Sequence, residues 1–444
     1  MKINIIGTGY VGLVTGVCLA AKGHLIKCFD KNNDIIKLLK KGRSHFYEKN
    51  LENLLNKNKK NISFELLDLN SEKKLLNCET LIIAVGTPTN NDKIDLSQIK
   101  EACKSIGKLL RNHEDYISII IKSTVVPGTT DTYVKEILED FSGKKIGQFG
   151  LGMNPEFLKE GNAINDFMNP DRIVFGYEDL KTLEYLQKIY RPWKIDKVEV
   201  NTRSAEMIKY VNNSLLATQI STINEYSNIA NSIGNIDFNT VMNAVHLDSR
   251  WNPINKENQR VYPQIIDYLK PGCGFGGSCF PKDVKALSAL SKEKGVTPLI
   301  LDSVIKVNND QPKAMLSYLQ ENIGSLKNMR TLVLGLAFKP ETDDVRESVS
   351  LKIIKHLNDL GATISAHDPI SVNNAKKEIN LDIKYVKDWK KEIFNNDITI
   401  IATNWSEYLH IKKIEKKLST KTLFDTRSLF NKRDFKYLKY LNIN

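Results

Sequence analysis

The chain has 444 residues, with 64 Lys or Arg against 52 Asp or Glu, for a formal charge of +12. With 41% hydrophobic residues it can build sizeable cores, so it is no disordered tail, and no apolar run approaches the roughly 18 residues of a membrane span. The lysines are scattered along the whole length, which argues for solvated faces that attract small anions rather than for a nucleic-acid surface.

At roughly 150 residues per domain, the length suggests about three domains. The apolar run after Lys2 ends in small residues, like a secretory signal, but Gly7, Gly9, Gly12 and Gly16 interrupt it. Its better reading is a short strand, Ile3–Ile6, running into Gly7-Thr8-Gly9-Tyr10-Val11-Gly12. A helix follows to about Ala21, then a second strand, Leu25–Phe29, ending at Asp30. Strand, GxGxxG, helix, strand and acid together are the Rossmann signature of a dinucleotide site. Gly7 permits the turn, Gly9 lets the backbone approach a pyrophosphate, and Gly12 allows close helix–strand packing. Asp30 suits the adenosine ribose hydroxyls and disfavours a 2′-phosphate, so NAD is expected rather than NADP.

Further apolar runs read as strands of an open parallel sheet: Thr80–Val85 before Gly86-Thr87-Pro88, Ile117–Ile121 before Lys122-Ser123-Thr124, and Gln148–Met153 before Asn154-Pro155-Glu156, with a further strand, Arg172–Phe175, closing the domain. Ligands bind beyond the carboxyl ends of such strands. From Arg203 to Ile233 the pattern is helical, with Thr202 or Ser204 as a cap and Gly234 as the stop. Some 30 residues span about 45 Å, long for one small domain, and the apolar positions exceed one face, so a helix shared between two subunits is expected. Lys209 and Asn213 share a face of it.

Between Tyr268 and Asp283 the chain reads Tyr-Leu-Lys-Pro-Gly-Cys-Gly-Phe-Gly-Gly-Ser-Cys-Phe-Pro-Lys-Asp. Pro281 suits the first turn of a helix, which places Cys279 just before a helix N-terminus with Lys282 nearby. Both favour the thiolate. Cys279 is therefore read as a nucleophile and Cys273 as structural. A thiolate beside a nicotinamide suggests aldehyde oxidation through a thiohemiacetal and a thioester. Lys209, Asn213 and Asp283 are suitable to steady the oxyanion and the attacking water. No cysteine or histidine cluster has metal spacing, so no metal is expected; the thiols are read as reduced and the protein as cytoplasmic.

The last third repeats the plan without a full GxGxxG. A strand, Thr331–Leu334, precedes Gly335–Pro340; a helix, Ser348–Leu360, and a strand, Thr363–Ala366, end at His367-Asp368; Ile398–Ala402 and Thr422–Phe424 are further strands. Val296–Ile323 reads as a connecting helix. Lys339, Arg346 and Arg427 are candidates to meet phosphate. The expected fold is α/β: two Rossmann-like doubly wound domains joined by a central helical domain with a long helix.

These motifs, together with Val85–Pro88, Asn154–Gly161, Pro170–Val174, Ala205–Lys209 and Asp343–Ser348, resemble the UDP-glucose/GDP-mannose dehydrogenase family over nearly the whole chain, its UDP-glucose 6-dehydrogenase branch most closely. The resemblance implies oxidation of UDP-glucose to UDP-glucuronate with two NAD, or of another nucleotide sugar, a UDP-N-acetylhexosamine or GDP-mannose. It implies Cys279 as the nucleophile, Lys209, Asn213 and Asp283 around the oxyanion and water, and Thr124 with Glu156 as a water-linked acid/base system. It implies cofactor contacts at Gly7, Gly9, Val11, Gly12, Asp30, Thr87, Thr124, Glu160, Lys282 and Arg346. It implies substrate contacts at Glu156, Phe157, Leu158, Lys159, Glu160, Lys209, Arg250, Tyr268, Leu269, Lys270, Pro271, Gly272, Gly276 and Lys339. The domains implied are 1–198 for NAD, 199–300 for a helical dimerisation and catalytic part, 301–323 for a connecting helix and 324–444 for the UDP-sugar. Partners are a small UDP-sugar and a second copy of the chain, with no nucleic acid and no membrane.

Three departures from the family pattern stand out. A Lys or Arg often stands five residues after the strand-end acid; here that position is Ile35. His45 replaces the usual Pro or Ile. The 251–268 stretch is longer than usual, so either Arg250 or Arg260 is expected to reach the neighbouring subunit's sugar.

Overall fold

The computed structural model describes residues 1–69, 71–90 and 92–443. The chain forms two compact units, Met1–Asn212 and Asn213–Asn444.

The first unit carries strands β1 (Lys2–Ile6), β2 (Leu25–Asp30), β3 (Ile62–Leu66), β4 (Thr80–Ile83), the short hairpin β5 (Thr89–Asn90) and β6 (Lys93–Ile94), then β7 (Ser118–Ile121), β8 (Gly150–Met153), β9 (Ile173–Tyr177) and β10 (Lys197–Val200). All but the hairpin form one sheet, ordered β10-β9-β8-β7-β4-β1-β2-β3. From β3 to β8 the pairs are parallel in doubly wound order, while β9 joins β8 antiparallel. Central strands β4 and β7 are buried on both faces, so their sequences are continuous apolar runs.

The helix Tyr10–Ala21 is buried from Gly12 through Ala20. Its fit explains Gly12: a Cβ there would lie 2.0 Å from the Gly7 carbonyl oxygen. Helix and strand can approach so closely only without that carbon.

The second unit repeats the order of the six parallel strands β3 to β8 of the first sheet. Strands β11 (Arg330–Leu334), β12 (Thr363–His367), β13 (Lys384–Tyr385), β14 (Ile398–Ile401), β15 (Thr422–Asp425) and β16 (Lys439–Asn442) form an all-parallel sheet ordered β13-β12-β11-β14-β15-β16. The central strands of both sheets coincide with apolar runs of the sequence, whereas β3, β10, β13 and β16 do not. Each of these is an edge strand with a partly exposed, partly polar sequence, so none is a clean apolar run.

A helix of 32 residues, Thr202–Ile233, runs through the boundary between the units. It begins one residue earlier than the pattern suggested. Neither Thr202 nor Ser204 caps it: the Asn201 side chain accepts the Ser204 N–H at 2.7 Å. A second long helix, Leu299–Ile323, carries Pro312 in its interior. No helix among the described residues is long and apolar enough to cross a membrane.

Candidate active site

In the first unit, the strand ends converge on a cleft of about 460 Å³ lined by Gly7, Gly9, Asp30, Lys31, Ile35, Val85, Gly86, Glu101 and neighbours. Asp30 sits at the end of β2. Its Oδ2 accepts the Thr8 N–H and hydroxyl, both at 2.7 Å, and Oδ1 accepts the Asn32 N–H at 2.9 Å. A carboxylate has about four acceptor positions, so capacity remains for a ribose hydroxyl. A Cβ at Gly9 would meet nothing within 4 Å, so packing does not require a glycine there. What it preserves is open backbone at a helix N-terminus, which suits a pyrophosphate. The cleft fits a dinucleotide.

Beyond β7 and β8 lies a buried charged group. Glu156 Oε1 accepts from Lys209 Nζ at 3.0 Å, with the two side chains 6% and 4% exposed. Its Oε2 accepts the Leu158 N–H at 2.6 Å. Burial alone would raise the Glu156 carboxyl, but Lys209, the Leu158 N–H and Lys122 together hold it below the usual carboxylate range. Thr124 follows β7, and its carbonyl accepts the Thr87 hydroxyl at 2.8 Å. Phe157 lies under the Arg172 guanidinium, 4.1 Å from the ring centre.

Three residues that the sequence reading did not single out organise this region. Lys122, 2% exposed, donates to the Asn154 side chain at 2.8 Å and to its carbonyl at 3.1 Å, fixing the strand end that carries Glu156. Burial pulls its ammonium down to about 8 despite the Glu156 charge. Glu48 accepts the Gly161 and Ala163 N–H groups at 2.7 and 2.9 Å and the Tyr10 hydroxyl. It thereby ties the loop after Glu156 to the dinucleotide helix. Glu206, three residues before Lys209, accepts from the Gly128 and Thr130 backbone and the Thr130 hydroxyl, and burial pushes its carboxyl up to about 7. The motif Ala205–Lys209 contained Glu206 without showing its partners. Lys122 stood at a strand end in Lys122-Ser123-Thr124 with no sign that it would be buried, and Glu48 had only its type to offer, solvated charges being the commoner case.

In the second unit, Cys279 stands immediately before the helix Phe280–Glu293, with Pro281 in the first turn, as its sequence suggested. It is partly exposed, and its Sγ lies 3.7 Å from the Ser278 hydroxyl. The other thiols differ. Cys273 is fully buried, and burial pushes Cys18 and Cys28 well up and Cys78 and Cys103 to about 12. No two of the described cysteines are joined in a disulfide.

Asp283, 1% exposed, lies one turn beyond the thiol. It accepts from Asn213 Nδ2 at 2.6 Å and from Lys282 Nζ at 2.7 Å. The glycine-rich loop before Cys279 is held by amides from two helices. Asn224 accepts the Gly272 N–H at 2.8 Å, Gln311 donates to the Gly272 carbonyl at 2.9 Å, and Asn308 pairs with both backbone groups of Phe275 at 2.7 and 2.9 Å. Gly277, at φ +83°, lies against the Phe338 ring, where a Cβ would be 2.7 Å away.

The remaining predicted contacts separate into those exposed to a ligand and those already engaged. Lys339 is partly exposed beside the Phe338 ring, Tyr268 ends a short 3₁₀ helix, and Lys270 pairs with Asp267 at 2.8 Å. Arg346 and Arg250 are exposed and fork onto Asp344 and Asp248. Arg260 donates to the Leu247 and Asn252 carbonyls. Arg427 donates to the carbonyls of Ala402, Gly274 and Phe338, which uses three of its five N–H donors to clamp the backbone there. Asp368 resembles Asp30 in sequence position only. It is 4% exposed and accepts from Leu336, Ala337, Ile370, Ser371 and the Trp405 ring N–H. With those donors in place it has no capacity left for a ribose.

A doubly wound sheet with an open glycine turn and a strand-end carboxylate, followed by a partly exposed thiol at a helix start, defines a nicotinamide-dependent oxidoreductase. Residues 1–194 match the NAD binding domain of the UDP-glucose/GDP-mannose dehydrogenase family, 203–310 its central domain and 332–432 its UDP binding domain. The chain belongs to that family. It is 34% identical to UDP-glucose 6-dehydrogenase AglM of Haloferax volcanii, with 98% of each chain covered. It is 37% identical to UDP-glucose 6-dehydrogenase YwqF of Bacillus subtilis over 97% of this chain and 94% of that one. The structure of a UDP-glucose dehydrogenase from the archaeon Pyrobaculum islandicum superposes with a TM-score of 0.88 at 33% identity, covering 100% of this chain and 97% of the other. The enzyme is thus an NAD-dependent dehydrogenase with a UDP-binding domain.

Proposed function

We propose that this enzyme oxidises UDP-glucose to UDP-glucuronate, consuming two NAD and one water and releasing two NADH. The observation that carries this is the full-length match to two UDP-glucose 6-dehydrogenases. Residues 1–198 serve NAD, 199–300 catalysis and dimerisation, 301–323 connection and 324–444 the UDP-sugar.

When bound, NAD accepts a hydride in each of the two oxidations. The cleft at Gly7, Gly9, Val11 and Gly12 holds its pyrophosphate and Asp30 its ribose, with Thr87, Thr124, Glu160, Lys282 and Arg346 as further contacts. Glu156, kept ionised by Lys209, is a base that takes the alcohol proton through water bound with Thr124. Cys279 adds as thiolate to the C6 aldehyde, giving a thiohemiacetal that loses hydride to become a thioester. Lys209 and Asn213 stabilise the oxyanions. Asp283, held by Asn213 and Lys282, orients the water that releases the acid and restores the thiol. Glu156–Glu160, Tyr268–Gly272, Gly276 and Lys339 grip the nucleotide sugar.

The long helix supports a homodimer. Met207, Val211, Leu215, Tyr226, Ile229 and Ile233 follow helical spacing, and all are at least 39% exposed. Such a stripe is covered by a second copy, with Arg250 or Arg260 of the largely exposed 248–262 region reaching the partner's sugar. Free thiols and solvent-facing polar surfaces support a cytoplasmic location.

Mass spectrometry of products from UDP-glucose, UDP-N-acetylglucosamine, UDP-N-acetylmannosamine and GDP-mannose tests the substrate assignment. UDP-glucuronate is expected as the dominant product at equal substrate concentration. A uronate formed faster from another sugar would overturn it.

A further inference from the structure

The cleft that receives the adenosine is charged in a way that its strand-end acid does not explain. Asp30 is followed by Lys31, and both line the cleft with Ile35. A lysine in that position would by itself be a cation for a 2′-phosphate. Across the cleft stands Glu101, on the helix Ser97–Leu110 that follows the hairpin. Lys31 Nζ donates to Glu101 Oε2 at 2.7 Å, and Glu101 lines the same cleft as Asp30. Counting Asp30, Lys31 and Glu101, the local charge is net negative. A 2′-phosphate entering there meets two carboxylates and a cation that is already paired.

We propose that Glu101 is a second determinant of NAD over NADP, acting by repulsion and by keeping Lys31 engaged. The pair is well exposed, at 69% and 63%, so its worth to folding is small. Its effect falls on the ligand instead. Ile35 bears on this too: with no cation five residues after Asp30, Lys31 is the positive residue among the described residues that line the cleft. Discrimination then depends on whether that lysine is held.

The inference rests on the adenosine occupying this cleft, so the experiment reads both. NADH binding is followed by its fluorescence, and NAD and NADP are titrated as competitors at low ionic strength, where surface charges are least screened. Asp30→Ala reports the placement: NADH affinity is expected to fall, and an unchanged affinity would overturn the placement itself. With placement upheld, Glu101→Gln is expected to tighten NADP relative to NAD by more than twofold and up to about fivefold, the upper scale of one exposed charge interaction. Adding Lys31→Ala to that variant is expected to remove most of the gain. A Kd ratio within twofold of wild type in Glu101→Gln would overturn the inference, and a gain that persists in full without Lys31 would overturn the part assigned to that lysine.

Discussion

Lys122 shows how a single buried charge shapes both the site and the stability of the protein. Its ammonium is brought down to about 8, chiefly by burial, from the usual lysine value near 10.5. Between those values the unfolded chain binds the extra proton, so stability from this group rises with pH. The penalty is fully present below pH 8 and is relieved as pH climbs towards 10.5. The stability of wild type minus that of Lys122→Met is therefore expected to rise by about 2 kcal/mol between pH 7.5 and 10. Urea titrations of both proteins at the two pH values measure it, and a flat difference would refute the assignment. The penalty persists because Lys122 fixes Asn154 and adds positive charge beside Glu156. Nothing in Lys122-Ser123-Thr124 distinguished this lysine from a solvated one. The sequence carried the reactive thiol better, since proline and glycine around Cys279 dictate a local geometry that a lone lysine does not.

At the scale of elements, the glycine turn separates two demands that one motif satisfies. Gly12 is required by packing: its added carbon would fall 2.0 Å from the Gly7 oxygen. Gly9 is not required by packing, because nothing lies within 4 Å of its added carbon. Gly12→Ala is accordingly expected to destabilise the fold by about 2 kcal/mol or more, in the range of overpacking. Gly9→Ala is expected to leave the melting temperature within about 0.5 °C, the shift of about 0.5 kcal/mol in a chain this long, while weakening NADH binding several-fold. Thermal melts and NADH titrations of both variants separate the two roles; equal melting temperatures would contradict the packing argument. The central strands, the dinucleotide helix and the long helix were legible because burial imposes a period or an unbroken apolar run. The edge strands β3, β10, β13 and β16 were not, because one exposed side admits polar residues.

For the whole molecule, two sheets that share the order of six parallel strands differ in what surrounds their strand-end acids. Asp30 opens onto a cleft, whereas Asp368 is consumed by its own loop and by Trp405. The repeated topology was legible in the repeated motif, but this division of labour was not, since it depends on donors distant in sequence. The net charge of +12 suits a protein that handles two anionic ligands, though most of its lysines lie on exposed surface. Light scattering at micromolar concentration is expected to give at least a dimer, and Leu215→Arg, on a side chain 58% exposed along the long helix, is expected to shift it towards monomer. A monomeric wild type would contradict the shared-helix reading. The central claim is four-electron oxidation through Cys279, and the most direct measurement is the NADH yield per UDP-glucose consumed, in wild type and in Cys279→Ser. Two NADH per sugar in the wild type, with severe loss of turnover or a trapped intermediate in the variant, is the predicted result; one NADH per sugar together with a fully active variant would contradict it.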